Sequence, residues 1–493
     1  MMTGVTSLRP TPSPPSEVVA TPTERAAGWV PGAIVAMGAA LRLSVIERLP
    51  FEQDELYSVI EARWLFDSPL NPGIHARPLY YLMQHPLLDL FPVTHLTMRL
   101  LPVAFGIAGM VVTWILARRI LGTAAAILAT LLVAVSPWHL HASGMARYWS
   151  LVYLLSALFL LFLLEARNYG RPRDYIGALI CLLLGTASHP TFFFPVAGIA
   201  VGVYMIRDND RIGLPIPDRR AMLYLWLPAA VALGGIYVLL SATQGESAVR
   251  NWDGRGLAAT LRLVPAMVEW ATPAVLAMGA MGALVLSGTS NGLHRRTFGL
   301  AALLGVIAGG VALLAASFLT DVYADYGITM LPLVFVSAGG LAQVASERMQ
   351  TSPLLASAVA GTVLAAAVAP GTVSYLSDGT RFDYRPAFER IQSDAPDLAV
   401  LTAPIIIQRH YASSLRGIEL GFETNRLEQV LQEESDVWVI APVRRYGIWQ
   451  DANGELADWL VNRCRLDSSY QRPRFDYRLY RTDLYRCTLP TVQ

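Results

Sequence analysis

From Gly28 to Leu376 the chain is a succession of apolar stretches bounded by Arg, Asp, Pro or Gly. Most of them approach the roughly 20 residues needed to cross a bilayer. Approximate cores fall at 28–46, 100–120, 123–140, 150–166, 175–188, 192–206, 222–241, 264–287, 298–319, 326–345 and 354–376. The fold class this predicts is a polytopic α-helical membrane protein of about 11 transmembrane helices. Only 15% of residues are charged and 54% are hydrophobic, against roughly 25% charged in soluble domains, so a purely soluble fold is excluded.

Arginine placement sets the expected orientation. Arg118 and Arg119, then Arg167, Arg171 and Arg173, then Arg207, Arg211, Arg219 and Arg220, then Arg295 and Arg296, then Arg348 occupy alternate short loops. Such loops face the cytoplasm. An odd number of spans then leaves the amino terminus inside and everything after residue 376 outside. A different count around His189 and Pro190 reverses the tail.

Three regions follow. Residues 1–27, rich in Pro, Ser and Thr, read as a disordered cytoplasmic tail, because they hold too little apolar surface to offset the entropy of ordering. Residues 28–376 form the membrane domain. Residues 377–493 alternate helical runs such as RPAFERIQ and LEQVLQEE with strand-like runs LAVLT and VWVIAP, the pattern of a small external α/β domain. The external segment 47–98 is too long for a connector, and its patches LYSVIEARWLF and PLYYLMQHPLLDLF read as interfacial helices. Segment 242–262 is a second candidate for membrane-surface structure.

Charge and residue choice remove several functions. With 38 basic and 37 acidic residues, the chain has no basic excess to neutralise a nucleic-acid backbone. All of its basic residues are arginine, which excludes lysine Schiff-base catalysis and a P-loop lysine. There is no dinucleotide fingerprint, zincin helix or nucleophile elbow. Cys464 and Cys487 end two strand-like runs, 464–471 and 477–487, with a turn between. In an external, oxidising compartment they are expected to form a disulfide, the alternative being two free thiols, and Cys181 is expected to stay unpaired in a span.

The candidate chemistry begins at Phe51-Glu-Gln-Asp54-Glu55-Leu-Tyr57, just beyond the first span. Adjacent carboxylates there are either a helix cap or a base or metal ligand. Arg77-Pro78-Leu79-Tyr80-Tyr81-Leu-Met-Gln-His85 follows, then Arg99 opening the second span. Ser136-Pro137-Trp138-His139-Leu-His141 and Ala146-Arg147-Tyr148 lie beyond the third.

This ordered set resembles the polyprenyl-phosphate-dependent glycosyltransferases of the glycosyltransferase-C superfamily, in their protein-mannosyltransferase and lipid A aminoarabinose-transferase-like branch. The matching elements are the Asp-Glu of the first external loop, the Pro-Leu-Tyr-Tyr-Leu stretch, and the Ser-Pro to Arg-Tyr stretch between spans three and four. Together they cover residues 40–150 best. The resemblance implies Asp54 as the catalytic carboxylate, Glu55 as its acidic neighbour, and His85 and Arg147 as polar positions near the site. It also supplies the identity of the polyprenyl-phosphate donor. Many relatives carry an arginine before the late span, where this chain has Asp325-Tyr326.

Sugar transfer from a lipid phosphate to a hydroxyl needs a base for the acceptor proton and cations or a divalent metal facing the leaving phosphate. Asp54 is the expected base. Arg147, Arg99 and His85 are the expected phosphate contacts, with snorkelling as the alternative for either arginine. Tyr57, Tyr81 and Tyr148 are expected near the substrate, with an interfacial aromatic belt as the alternative for Tyr148. A metal, if bound, would use Asp54 and Glu55.

His139 and His141 would face different directions on a helix and make a poor chelate. His189, Glu269 and Asp321 are ionisable groups near span ends, and Arg42 is expected to pair with a carboxylate across the bundle. The expected protein is therefore an inverting membrane glycosyltransferase at the outer face of a bacterial plasma membrane, acting on a lipid, protein or polysaccharide acceptor. A lipid or solute transporter and a non-catalytic envelope scaffold are the alternatives.

Overall fold

A computed structural model describes residues 29–66, 77–206, 212–233, 257–289, 292–318, 322–379, 381–402, 405–420, 424–444, 447–448, 451, 454–471 and 480–489. The amino-terminal tail, most of the 242–262 segment, Asp321 and the turn of the terminal hairpin lie outside the described residues.

The helices are α1 (Val30–Leu43), α2 (Gln53–Arg63), α3 (Pro78–Leu90), α4 (His95–Ile120), α5 (Thr123–Val135), α6 (Pro137–Gly144), α7 (Trp149–Tyr169), α8 (Pro172–Ser188), α9 (Val196–Met205), α10 (Leu257–Ala271), α11 (Pro273–Gly288), α12 (Leu293–Ser317), α13 (Leu331–Met349) and α14 (Pro353–Asp378). Among the described residues five helical runs are long and apolar enough to cross a membrane: α4, α7, α12, Ala324–Met349 and α14. Counting each of two bent pairs as one span raises the number to 7. The chain is a polytopic helical membrane protein.

Two stretches that read as continuous spans are broken. The 123–140 run bends by 57° between α5 and α6. There Pro137 supplies no N–H, and the Ser136 hydroxyl caps the new helix by accepting from the His139 N–H. The 264–287 run bends by 85° between α10 and α11, at Thr272-Pro273.

The first break also explains Arg42, which meets carbonyls and an imidazole and, among the described residues, no carboxylate. In a regular helix the Val133 carbonyl would accept from residue 137, a proline, so it is left without a donor. Arg42 Nη2 donates to that carbonyl at 3.0 Å and Nη1 to Ala134 O at 3.3 Å. Nη2 also lies 2.7 Å from His139 Nδ1. At the far end of α6, a Cβ on Gly144 would overlap the Tyr375 hydroxyl of α14. Glycine there leaves room for Tyr375 of α14 to pack against the end of α6.

Beyond α14 come α15 (Arg385–Asp394), β1 (Ala399–Thr402), α16 (Ile405–Tyr411), β2 (Gly417–Glu419), α17 (Thr424–Glu434), β3 (Asp436–Arg444), β4 (Gly447–Ile448), α18 (Glu455–Arg463), β5 (Cys464–Gln471) and β6 (Tyr480–Thr488). The sheet order is β2-β1-β3-β6-β5, with β4 paired to β3. The β2-β1-β3 ladder is parallel and β3-β6-β5 antiparallel.

Alternation along the strands divides the sheet faces. Val400, Trp438, Ile440 and Leu484 join the buried cluster continuous with the membrane helices. Ala399, Leu401, Val437 and Val439 pack with Leu427, Leu431, Leu456 and Leu460 of α17 and α18. Cys464 stands opposite Cys487 in the β5–β6 register, and the two are disulfide-bonded. Cys181 is a buried free thiol.

Candidate active site

The sequence Glu52-Gln-Asp54-Glu55 starts α2 with a capping box, in which the Glu55 carboxylate accepts from the Glu52 N–H at 3.0 Å. The cap reading is therefore correct for Glu55, and it is only part of that residue's work. Its carboxylate is fully buried and accepts from Arg99 Nε and Nη2, each at 2.8 Å, from Arg381 Nη1 at 2.8 Å and from the Ala146 N–H at 2.8 Å. Burial alone would push this carboxyl up; the Arg99 and Arg381 guanidiniums outweigh it and hold the pKa at about 2. Glu55 is thus a buried anion that ties α2 to α4, to the loop before Arg147 and to the segment following α14.

Asp54, one residue earlier, points elsewhere. Its side chain is 43% exposed, and its Oδ2 lies 3.1 Å from Arg147 Nη2. Ser58 and Glu61 follow at i+4 and i+7, so all three share one face of α2. Arg147 Nη1 donates to Ser58 Oγ at 3.3 Å, Glu61 Oε2 at 3.2 Å and Tyr81 Oη at 3.0 Å. Asp54, Tyr81 and Arg147, singled out in three separate stretches, meet at one guanidinium.

A second guanidinium adjoins it. Arg77 Nη1 donates to Tyr148 Oη at 2.8 Å. The Arg77 and Arg147 Cζ atoms stand 5.3 and 5.6 Å from the Tyr148 ring centroid. Tyr148 also stacks on His189 at 5.0 Å, and His189 lies 4.9 Å from the Tyr326 ring. Among the described residues, Nε of both Arg77 and Arg147 is buried without a hydrogen-bond partner. Two adjacent cations with unsatisfied donors suit an anionic ligand with several acceptor oxygens.

Two expected phosphate contacts are not brought there. Arg99 donates to both Glu55 oxygens and to the carbonyls of Ile46, Leu49 and Pro50, which engages all three of its nitrogens. His85 pairs with the Ala62 carbonyl at 2.8 Å and with Asp89 at 3.2 Å. Tyr57 is 40% exposed on α2. No group of three or more His, Cys, Asp or Glu side chains among the described residues could hold a metal ion. Asp54 and Glu55 face different guanidiniums, so the pair does not fit a shared cation.

Sequence reasoning missed Ser58 and Glu61, whose signal was the i, i+4, i+7 spacing from Asp54. Arg77 stands before Pro78-Leu79-Tyr80-Tyr81 with no sequence signal of its role. Sequence reasoning had no means of seeing Arg381, which lies 326 residues from Glu55.

In its fold the chain is similar to two solved structures. It superposes on the oligosaccharyltransferase of Archaeoglobus fulgidus, solved with a tethered acceptor peptide, with a TM-score of 0.53 and 12% identity over 84% of this chain and 69% of that one. It superposes on ArnT from Cupriavidus metallidurans, solved with undecaprenyl phosphate bound, with a TM-score of 0.51 and 13% identity over 93% and 98% of the two chains. Residues 72–233 match the family described as dolichyl-phosphate-mannose-protein mannosyltransferase. No curated protein matches the chain in sequence. The resemblance read from the Asp54-Glu55, Tyr80-Tyr81 and Arg147-Tyr148 stretches is met in sequence over residues 72–233, which hold the second and third of these but not the first, and in fold over most of the chain.

Proposed function

We propose that the chain transfers a hexose or pentose from a polyprenyl-phosphate donor to a hydroxyl-bearing acceptor at the outer face of a bacterial plasma membrane. The observation that carries this reading is the half-exposed Asp54 carboxylate beside Arg147 and the neighbouring Arg77, two cations with unsatisfied donors. In the ArnT structure the bound lipid is undecaprenyl phosphate, the same chemistry as the leaving group proposed here.

Asp54 takes the proton of the acceptor hydroxyl as its oxygen attacks the anomeric carbon. The bond from that carbon to the phosphate oxygen breaks with inversion, and the phosphate leaves with the electron pair. Arg77 and Arg147 face the charge that grows on it. Tyr148 orients Arg77, and Tyr81 and Glu61 orient Arg147. Glu55 positions Asp54 and touches no reacting atom. The arginine that relatives carry before the late span is replaced in this reading by Arg77, because Tyr326 stands beside the same aromatic group.

The topology that goes with it has eleven spans, a cytoplasmic amino terminus and an external domain from residue 377. The helices in segment 47–98, α2 and α3, lie at the outer interface. Mass analysis of envelope glycans and glycolipids from cells with and without the intact chain tests the reading. Loss of one hexose- or pentose-sized substituent supports it; an unchanged envelope alongside altered transport of a lipid or solute overturns it.

A further inference from the structure

We propose that the carboxy-terminal unit is a working part of the active site and that Arg381 is its positioning residue. The proposal rests on the reading of Asp54 as the base. Arg381 follows α14 directly, and its side chain is fully buried against the start of α2. Nη1 donates to Glu55 Oε2 at 2.8 Å and to the Pro50 carbonyl at 3.0 Å. From α16, the Tyr411 hydroxyl accepts from the Phe51 N–H at 2.6 Å, and the His410 ring meets the Phe51 ring edge-on at 5.1 Å.

The backbone entering α2 is therefore held at two successive residues by groups from 381–411. The residue immediately after Asp54 is held by the same unit. A buried carboxylate between two guanidiniums tolerates little movement, since breaking one pair leaves a charge uncompensated in a dry site. Asp54 rides on that anchor. Among the described residues its own side chain is held by Arg147 alone, so the placement of its carboxylate comes from where α2 begins. A misplacement of about 1 Å in a reacting group costs up to about 100-fold in rate. Val400, Trp438 and Ile440 of the sheet share one buried cluster with Phe388, Ile391 and Ile407 of α15 and α16, so the anchor is backed by packed side chains.

The test uses the full chain in membranes, with three readouts: hydrogen exchange over residues 53–63, binding of undecaprenyl phosphate, and the initial rate of glycan product formation. Arg381→Gln is expected to raise exchange over 53–63 and to lower the rate by about 10- to 100-fold, with binding within twofold. Arg381→Lys is expected to recover part of the rate, because it keeps the charge without the planar fork. Tyr411→Phe, which removes a single acceptor, shifts exchange and rate a few-fold in the same direction and decides the matter should Arg381→Gln misfold. Unchanged exchange and a rate within twofold overturn the proposal, as does a loss of lipid binding as large as the loss of rate. If the wild-type chain forms no glycan product, the enzymatic reading fails while the exchange readout still decides the coupling.

Discussion

Arg147 Nη2 lies 3.1 Å from Asp54 Oδ2, so the group read as the base and a group read as the phosphate partner are already joined. Arg147 also holds Glu61 and Tyr81 through Nη1, while its Nε is free among the described residues. A phosphate oxygen accepting from Nε would complete the guanidinium's hydrogen bonds. Charge-assisted hydrogen bonds contribute roughly 1.5–3 kcal/mol each. Arg147→Ala and Arg77→Gln should each weaken binding of undecaprenyl phosphate by about 10- to 100-fold. Titration into vesicles holding the full chain measures it. His85→Ala should leave binding within twofold, because His85 is engaged with Ala62 and Asp89.

Much of this was legible in the sequence. Long apolar runs announced the spans, and Asp54, Tyr81 and Arg147 stood in order along three short stretches. What could not be read has physical reasons. Arg99 and Arg147 look alike at span boundaries, yet one is enclosed by carbonyls and Glu55 while the other keeps a free donor. Arg147 follows the bend at Ser136-Pro137 and the end of α6 at Gly144, whereas Arg99 stays on α4 against the carbonyls of residues 46–50. Hydropathy carries no sign of those bends, so 123–140 and 264–287 read as straight. Arg42 was expected to seek a carboxylate, but the carbonyl left bare by Pro137 serves it instead.

The Glu55 anchor has a defined pH window. Its carboxyl is held at about 2 in the folded protein, below the ordinary carboxylate value of about 4.3. A depressed carboxylate stabilises the fold fully above the unfolded value and loses that contribution as pH falls through the folded one. Exchange over 53–63 should therefore be insensitive to this group from neutral pH to about 5 and rise between about 4.3 and 2. Glu55→Gln, which leaves Arg99 and Arg381 without a counter-charge, should destabilise the chain by about 3–5 kcal/mol at neutral pH. Thermal unfolding in detergent measures the change.

The disulfide closes a loop with a sequence separation of 23, worth about 3 kcal/mol through the entropy of the unfolded chain. An unreduced digest should give one peptide containing both Cys464 and Cys487. Mild reduction should lower the unfolding temperature of the carboxy-terminal sheet and leave α4 and α7 protected from exchange. Recovery of two alkylatable thiols from the native compartment would contradict the external placement of the tail.

Reporter fusions at Ser377 and Gln493 should both label from outside, and labels in the loop holding Arg118 and Arg119 from inside. The expectation follows from arginines in alternate loops. Cytoplasmic labelling at both tail sites would reverse the orientation and put Asp54 out of reach of an external acceptor.

The proposed mechanism stands or falls with Asp54 taking the acceptor's proton. Asparagine matches aspartate in shape and cannot take a proton at neutral pH. The rate of glycan product formation by the full-length Asp54→Asn chain, measured with undecaprenyl phosphate binding on the same sample, is the most direct test. A base at Asp54 predicts a loss of about 10²- to 10⁴-fold, with binding and unfolding temperature close to wild type. Near-normal turnover in a folded, lipid-binding Asp54→Asn chain would contradict it.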